Sequence, residues 1–268
     1  MSLSTIRVEP RLKLIATVAI VGWAFFAAIA LLLPLVSEYS VTTDHISELA
    51  IGRYGYLQIV AFFAAGFGTL ALAWAVRETI NGSWGSRLGS ALVGIYGVGM
   101  ILTGIFPTDE IDLAGRVVGS PTIAGTAHGV VSLVAFILGL AGVFVLSRTF
   151  KRDARWRAFW PWSLALAFAM LVGFIILAQS QGNAWIGLIQ RIFNVTIILW
   201  LVLVAFRIRY ISKSASTEHP SRVRSGSNFR EHPLPEIHVP ASLCGCWRLA
   251  HTAHHNINTA HLGGCSGL

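Results

Sequence analysis

Between two long apolar runs, at about 12–36 and 55–76, the chain reads Thr43-Asp44-His45-Ile46-Ser47-Glu48-Leu49. This stretch carries three titratable groups and two hydroxyls in a chain whose charged fraction is only 12%. An apolar run of about 20 residues crosses about 30 Å of hydrocarbon as a helix, because each residue advances the helix by about 1.5 Å. Two such runs around a polar connection predict a helical membrane protein, and the polar connection is its first candidate site.

Composition supports a membrane protein over a soluble one. The 268 residues are 54% hydrophobic and the mean hydropathy is +0.67, whereas about 25% of the residues of a soluble domain are charged. The net charge of +8 could indicate nucleic-acid binding. However, the Lys and Arg residues lie mainly beside apolar segments, where membrane topology explains them, so no nucleic-acid partner is predicted.

Six apolar runs of membrane-crossing length follow one another along the chain. They lie at about 12–36, 55–76, 88–106, 123–146, 158–178 and 185–206. The first is longer than the 7 to 15 residues of a signal-peptide core, so we expect it to remain as a helix. The sequence therefore predicts an all-α integral membrane protein, a bundle of six transmembrane helices with both termini on the same side.

Basic residues predict which side that is. Most Lys and Arg residues belong to the N-terminus, the second and fourth connections and the segment after the sixth run: Arg7, Arg11, Lys13, Arg77, Arg87, Arg148, Lys151, Arg152, Arg155, Arg157, Arg207, Arg209 and Lys213. The other connections contain only Arg53 and Arg116. By the positive-inside rule, N- and C-termini are cytoplasmic and the first, third and fifth connections lie outside the cell membrane.

This orientation brings several polar residues to the outer side. The candidate cluster comprises residues of the first and third connections and two residues within spans four and six: Asp44, His45, Ser47, Glu48, Asp109, His128 and Arg191. Ser132 lies one turn from His128, and Asn194 lies three residues from Arg191, on the same helix faces.

Arg191 and His128 are the two members predicted to lie within the bilayer. An arginine at the centre of a span costs roughly 2.5 to 3.5 kcal/mol, so we expect Arg191 to pair with Glu48 or Asp109. Contact with an anion or a lipid head group is the functional alternative. For His128, a hydrogen bond between helices is the structural interpretation, and metal ligation or proton exchange is the functional one.

Four short motifs occur in order along the chain, each in or beside one of these spans. They are Ile46-Ser47-Glu48-Leu49-Ala50, Gly104-Ile105-Phe106-Pro107-Thr108-Asp109, Gly125-Thr126-Ala127-His128 and Gly187-Leu188-Ile189-Gln190-Arg191. Over about residues 10 to 210 the chain resembles the bacterial and archaeal membrane family catalogued as domain of unknown function 998. The resemblance implies a six-helix integral membrane protein and supplies no reaction.

The last segment, 211–268, changes in composition. It is rich in Ser, His, Pro and Gly and has no long apolar run, which predicts a disordered cytoplasmic tail. All three cysteines, Cys244, Cys246 and Cys265, lie there among several histidines. Binding of a soft divalent metal is the alternative, although the spacing matches no standard zinc module.

The preferred function is non-catalytic: the candidate cluster stabilises the bundle or binds a small ligand, a lipid head group or a partner. The first alternative is a metal-dependent membrane hydrolase. There, His45, Asp109 and His128 would hold a zinc-like ion, and Glu48 or Ser47 would assist a bound water. The chain has no HExxH motif to support it.

The sequence leaves two further activities as alternatives. Six spans are enough for a small transporter, although no inverted repeat of broken helices is evident. Acyl transfer by Ser47 and His45 lacks a G-x-S-x-G elbow. The sequence therefore leaves open whether the protein is an enzyme, and it predicts no cofactor other than the zinc of the hydrolase alternative.

Overall fold

The computed structural model describes residues 3–80, 82–112 and 114–225, with side chains for 10–80, 82–112 and 114–213. This part of the chain is helical, and its only extended pairing is an isolated bridge between Ile111 and Val117. The α-helices are α1 (Leu3–Leu32), α2 (Gly55–Thr79), α3 (Trp84–Ile105), α4 (Ile123–Phe150), α5 (Trp160–Gln179) and α6 (Ile186–Ser225). Two 3-10 helices, Leu33–Val36 and Ile46–Ala50, lie in the first connection.

Each predicted apolar run corresponds to one of these helices. All six are long and apolar enough to cross a membrane. The helices begin and end within about four residues of the predicted limits, with two exceptions. Helix α1 begins at Leu3, nine residues before the predicted start, and α6 continues to Ser225 and so passes the predicted domain boundary at 210. The remainder of the predicted tail, 226–268, contains the three cysteines and the other histidines of the tail and lies outside the described residues.

Small residues let neighbouring helices approach closely. A Cβ added to Gly66 of α2 would lie 2.8 Å from the carbonyl oxygen of Gly97 in α3. On the other side of α3, a Cβ at Gly139 of α4 would lie 2.9 Å from the Cβ of Tyr96. In lipid, this close approach replaces the hydrophobic driving force that is available in water, so α3 packs tightly between α2 and α4.

Polar bonds join α4, α5 and α6 near the fourth connection. The Ser147 and Ser163 hydroxyls lie 2.6 Å apart, and the Trp200 indole N–H donates to the Ser163 hydroxyl at 2.8 Å. Arg209 donates to the Thr17 hydroxyl, which ties α6 to α1 as well. This half of the bundle is therefore held by hydrogen bonds between helices, of which the two to Ser163 are buried.

The first, third and fifth connections meet at the opposite end of the bundle. The Ile111 N–H donates to Glu48, the Leu188 N–H donates to the Thr42 carbonyl, and a Cβ at Gly115 would lie 2.8 Å from the Gly182 nitrogen. We call the segments 37–54, 106–122 and 180–185 the acidic end, because all but two of their charged residues are acidic.

Candidate functional site

Arg191 is held by backbone carbonyls. Its side chain is buried, and Nη1 donates to Val41 O at 2.9 Å, Asp44 O at 2.8 Å and Gly187 O at 3.1 Å. The predicted carboxylate pairing is wrong: among the described residues, no ion pair involves this guanidinium. Where the first connection bends, the carbonyls of Val41 and Asp44 have no hydrogen-bond partner within a helix. They accept from the Arg191 guanidinium in place of a carboxylate.

The first turn of α6 lies directly against this bend. A Cβ added to Gly187 would lie 2.5 Å from Asp44 O and 2.9 Å from Asp44 N. Only a glycine lets the two backbones approach this closely. The Gly187-to-Arg191 motif therefore acts as one docking unit, in which the glycine admits the connection and the arginine holds it.

Glu48 also holds the connections in place. It is 3% exposed, and its Oε1 accepts from Ile111 N at 2.9 Å while Oε2 accepts from His45 N at 2.6 Å. The same Oε2 lies 3.2 Å from His45 Nδ1. Glu48 thus caps its own 3-10 helix from the third helical position, the capping-box spacing counted from His45, and fastens the first connection to the third.

Asp44 stabilises the preceding turn. Its carboxylate accepts from Ser40 N at 2.8 Å and from the Thr43 hydroxyl at 2.6 Å. Such short-range bonds are typical of aspartate in turns. They occupy both carboxylate oxygens, so the structure gives Asp44 a structural role in the loop.

Asp109 anchors the start of α4. Its carboxylate accepts from the Thr122 hydroxyl at 2.7 Å and from Thr122 N at 3.0 Å. The Thr122 hydroxyl in turn accepts from Gly125 N at 2.9 Å as the N-cap. These hydrogen bonds lower the pKa of Asp109 below its usual value, and a side chain at Gly125 would collide with the carboxylate.

Two other groups of the acidic end also have shifted pKa values. The Arg116 N–H donates to Asp112, which, with other bonds in the same turn, lowers the pKa of that carboxyl. Burial raises the pKa of Tyr39, and the negative charges nearby, Glu48 first, raise it further. The acidic end is therefore a region of negative potential.

In both histidines, the ring nitrogen Nδ1 faces an oxygen acceptor. His128 Nδ1 donates to the Phe106 carbonyl at 2.8 Å, where α3 ends, and His45 Nδ1 faces Glu48. A carbonyl or carboxylate can only accept, so the neutral ring carries its hydrogen on Nδ1. In the neutral form of either residue, Nε2 keeps a lone pair that can accept a hydrogen bond.

These two histidines line a cavity of about 420 Å³ inside the bundle. Three of the seven predicted site residues, His45, Ser47 and His128, border it, whereas Asp44, Glu48, Asp109 and Arg191 do not. The candidate cluster is thus divided. One part faces the cavity, and the other part holds the connections that close it.

Several lining residues were not in the predicted cluster. Gln190 accepts from Ile46 N at 2.7 Å, and Asn194 Nδ2 donates to the Gln190 carbonyl at 2.9 Å. Their spacing of four residues on α6, beside Arg191, is a signal that the sequence contains. Tyr96 borders the cavity too, and its buried hydroxyl has no hydrogen-bond partner among the described residues.

The rest of the wall is apolar. It is made largely of aromatic and aliphatic side chains from α1 to α5, including Phe26, Phe62, Met100, Phe136 and Phe174. Tyr96 and Phe136 also border a smaller apolar cavity of about 30 Å³ further along α3 and α4. The cavity therefore has polar groups near the acidic end and hydrocarbon-like walls elsewhere.

The predicted metal ligands do not form a group in the structure. Within residues 10–80, 82–112 and 114–213, no three His, Cys, Asp or Glu side chains are placed to hold a metal ion. Asp109 uses its carboxylate for the start of α4, away from the cavity that His45 and His128 border. The arrangement thus supplies no specific support for the metal-dependent hydrolase.

A model of the family described as Protein of unknown function (DUF998) matches residues 18–207. The match covers most of the chain, includes all four sequence motifs and touches all six helices. No curated protein and no solved structure matched the chain.

Proposed function

We propose that this protein, which belongs to the Protein of unknown function (DUF998) family, is a multi-pass cell-membrane protein that binds one amphiphilic small molecule. The polar group of the ligand lies near His45 and His128, and its apolar part lies among the aromatic side chains of the bundle. The observation that carries this proposal is the cavity of about 420 Å³, polar near the acidic end and apolar elsewhere.

The size of the cavity favours an occupant. It falls within the roughly 300–1,000 Å³ of small-molecule sites. Much of its wall is apolar and offers water few hydrogen-bond partners, so the apolar part of a ligand packs there more favourably than water does.

The lining also restricts the polar group of the ligand. Within the part of the chain whose side chains are described, no Lys, Arg, Asp or Glu borders the cavity. His45 and His128 offer acceptor nitrogens, and Gln190 has its oxygen engaged by Ile46, so its amide N–H groups remain available to donate. Neutral hydroxyl groups, which both donate and accept, match this set better than a phosphate or an ammonium group.

The experiment measures the melting temperature of the full chain in lipid nanodiscs with a monoacylglycerol as the probe. A hundredfold excess over Kd should raise it by about 5–10 °C, because the ligand binds only the folded state. A lysophosphatidic acid of the same chain length should raise it less, since no basic Lys or Arg side chain lines the cavity.

Gly129→Leu provides the decisive variant. Gly129 borders the cavity, and a Cβ there would meet nothing within 4 Å, so leucine fills the space without a clash. It should abolish the monoacylglycerol effect. Gly129→Ala and Ala169→Leu, the latter on the exposed face of α5, should retain it. The proposal would be contradicted if the monoacylglycerol did not raise the melting temperature of the wild type, or if it still raised that of Gly129→Leu.

A further inference from the structure

Helices α4 and α5 are held together mainly away from the acidic end. Contacts between them include the Ser147–Ser163 bond at 2.6 Å and the Phe144–Phe168 ring pair at 5.2 Å. Closer to the acidic end, the ring centroids of Phe136 and Phe174 are 6.3 Å apart. The α5 span is also the least buried of the six, at 22%.

Beyond that pair, residues that line the cavity are also exposed. Gly129 and Leu133 of α4 are exposed, Leu133 at 51%, as is Ala178 in the last turn of α5. Gly129 and Leu133 are four residues apart and so share one face of α4. These three residues define a gap between α4 and α5 that leads into the cavity.

The gap extends from the end of α5, where Ala178 lies, to the depth of lipid chains. Leu133 is ten residues after the start of α4, which places it about 15 Å along the helix axis at 1.5 Å per residue. That distance is about half of a 30 Å hydrocarbon core. Buried His128, beside Gly129, lies immediately inside the gap.

The side of the cavity that faces the first connection is covered, whereas at the fifth connection Gln181 both lines the cavity and is exposed. His45 and Ile46 are both buried, and Ile46 N donates to Gln190 across it. The covering segment is tied down by Arg191 and by the bond from Ile111 to Glu48. The cavity is therefore closed toward the first connection and open between α4 and α5 as far as the end of α5.

We infer that the ligand is a membrane lipid with a single chain and that it enters sideways, from the hydrocarbon of the bilayer, between α4 and α5. This inference rests on the proposed function, because it names the source of the same ligand and its route. An apolar chain that moves sideways stays in hydrocarbon throughout, so entry requires no transfer of that chain into water.

The test compares binding rates in nanodiscs by stopped flow, with a pyrene-labelled monoacylglycerol delivered from vesicles. Ala178→Trp narrows the gap, and we expect it to slow association by about tenfold. Ala169→Trp adds the same side chain to the exposed face of α5 outside the cavity lining, and should leave that rate unchanged.

The outcomes separate this route from the proposed function. Wild-type binding with unchanged rates in Ala178→Trp would overturn sideways entry and leave the binding function intact. Weaker binding at an unchanged association rate would also count against the route, because the tryptophan would then fill the cavity rather than narrow its entrance. Failure of the wild type to bind would reject both.

Discussion

At the scale of single residues, Arg191 supports the cavity without bordering it. Its guanidinium carries three hydrogen bonds to carbonyls of the first connection and of α6. Two of its nitrogens, Nε and Nη2, are buried without a partner among the described residues. The burial of this charge is therefore compensated only in part, and its energetic role is to hold the first connection over the cavity.

Arg191→Met should lower the free energy of unfolding by about 2 kcal/mol or more, since a hydrogen bond to a charged group contributes about 1.5–3 kcal/mol. Methionine preserves much of the length but leaves the carbonyls of Val41 and Asp44 without a donor. Reversible unfolding in detergent with increasing denaturant measures the change. Arg157→Met, at an exposed site of the fourth connection, should be nearly neutral; equal losses in the two variants would contradict this role.

At the scale of secondary structure, α4 connects the acidic end to the cavity. Its N-cap Thr122 is held by Asp109, and less than two turns later His128 and Gly129 face the cavity. The start of α4 thus determines where both residues lie. The carboxylate beside that start makes the position of the helix sensitive to acid.

Asp109→Asn should abolish part of the acid dependence of stability. The folded pKa of Asp109 lies below its ordinary value of 3.8. Its stabilising effect is therefore complete above that value and is lost as the pH falls through 3.8 and then through the folded pKa. Melting temperatures of wild type and variant, measured from pH 6 to pH 3, should converge at the acid end.

Thr122→Val serves as the companion variant, because it removes the hydroxyl that donates to Asp109. The remaining bond from the Thr122 N–H should leave a smaller acid-dependent difference. A gap between wild type and Asp109→Asn that stayed constant down to pH 3 would show that the ionised carboxylate contributes nothing.

At the scale of the whole molecule, charge differs between the two ends. Carboxylates predominate among the charged residues of the acidic end, whereas the opposite end carries Arg148, Lys151, Arg152, Arg155 and Arg157. The positive-inside rule predicts that the opposite end faces the cytoplasm. The proposed gap between α4 and α5 would then open to the outer leaflet.

Cysteine labelling tests this orientation with a matched pair. After Cys244, Cys246 and Cys265 are replaced by serine, Ala114→Cys and Ala154→Cys place a thiol at exposed sites in the third and fourth connections. A membrane-impermeant maleimide applied to intact cells should label position 114. Position 154 should react only after permeabilisation. The reverse pattern would mean that the protein has the opposite orientation and that the ligand comes from the inner leaflet.

The six helices were predictable from sequence because hydrocarbon offers no hydrogen-bond partners, so a spanning backbone must form its hydrogen bonds within the segment, as a helix does. Each apolar run therefore forms a helix close to its predicted limits, as α2 does from Gly55 to Thr79. The meeting of the first and third connections at one end follows from the alternation of the spans, and the order of the four motifs correctly indicated the family.

Only the tertiary structure decided which polar side chains face the cavity. His45 and Glu48 are three residues apart, yet His45 borders the cavity and Glu48 binds the connections. Arg191 appeared to need a carboxylate, but the bend at Val41 and Asp44 supplied carbonyls instead. The direction of a side chain depends on helix rotation and on the path of a loop, and both are settled by packing between segments far apart in the chain, as at Gly187 against Asp44.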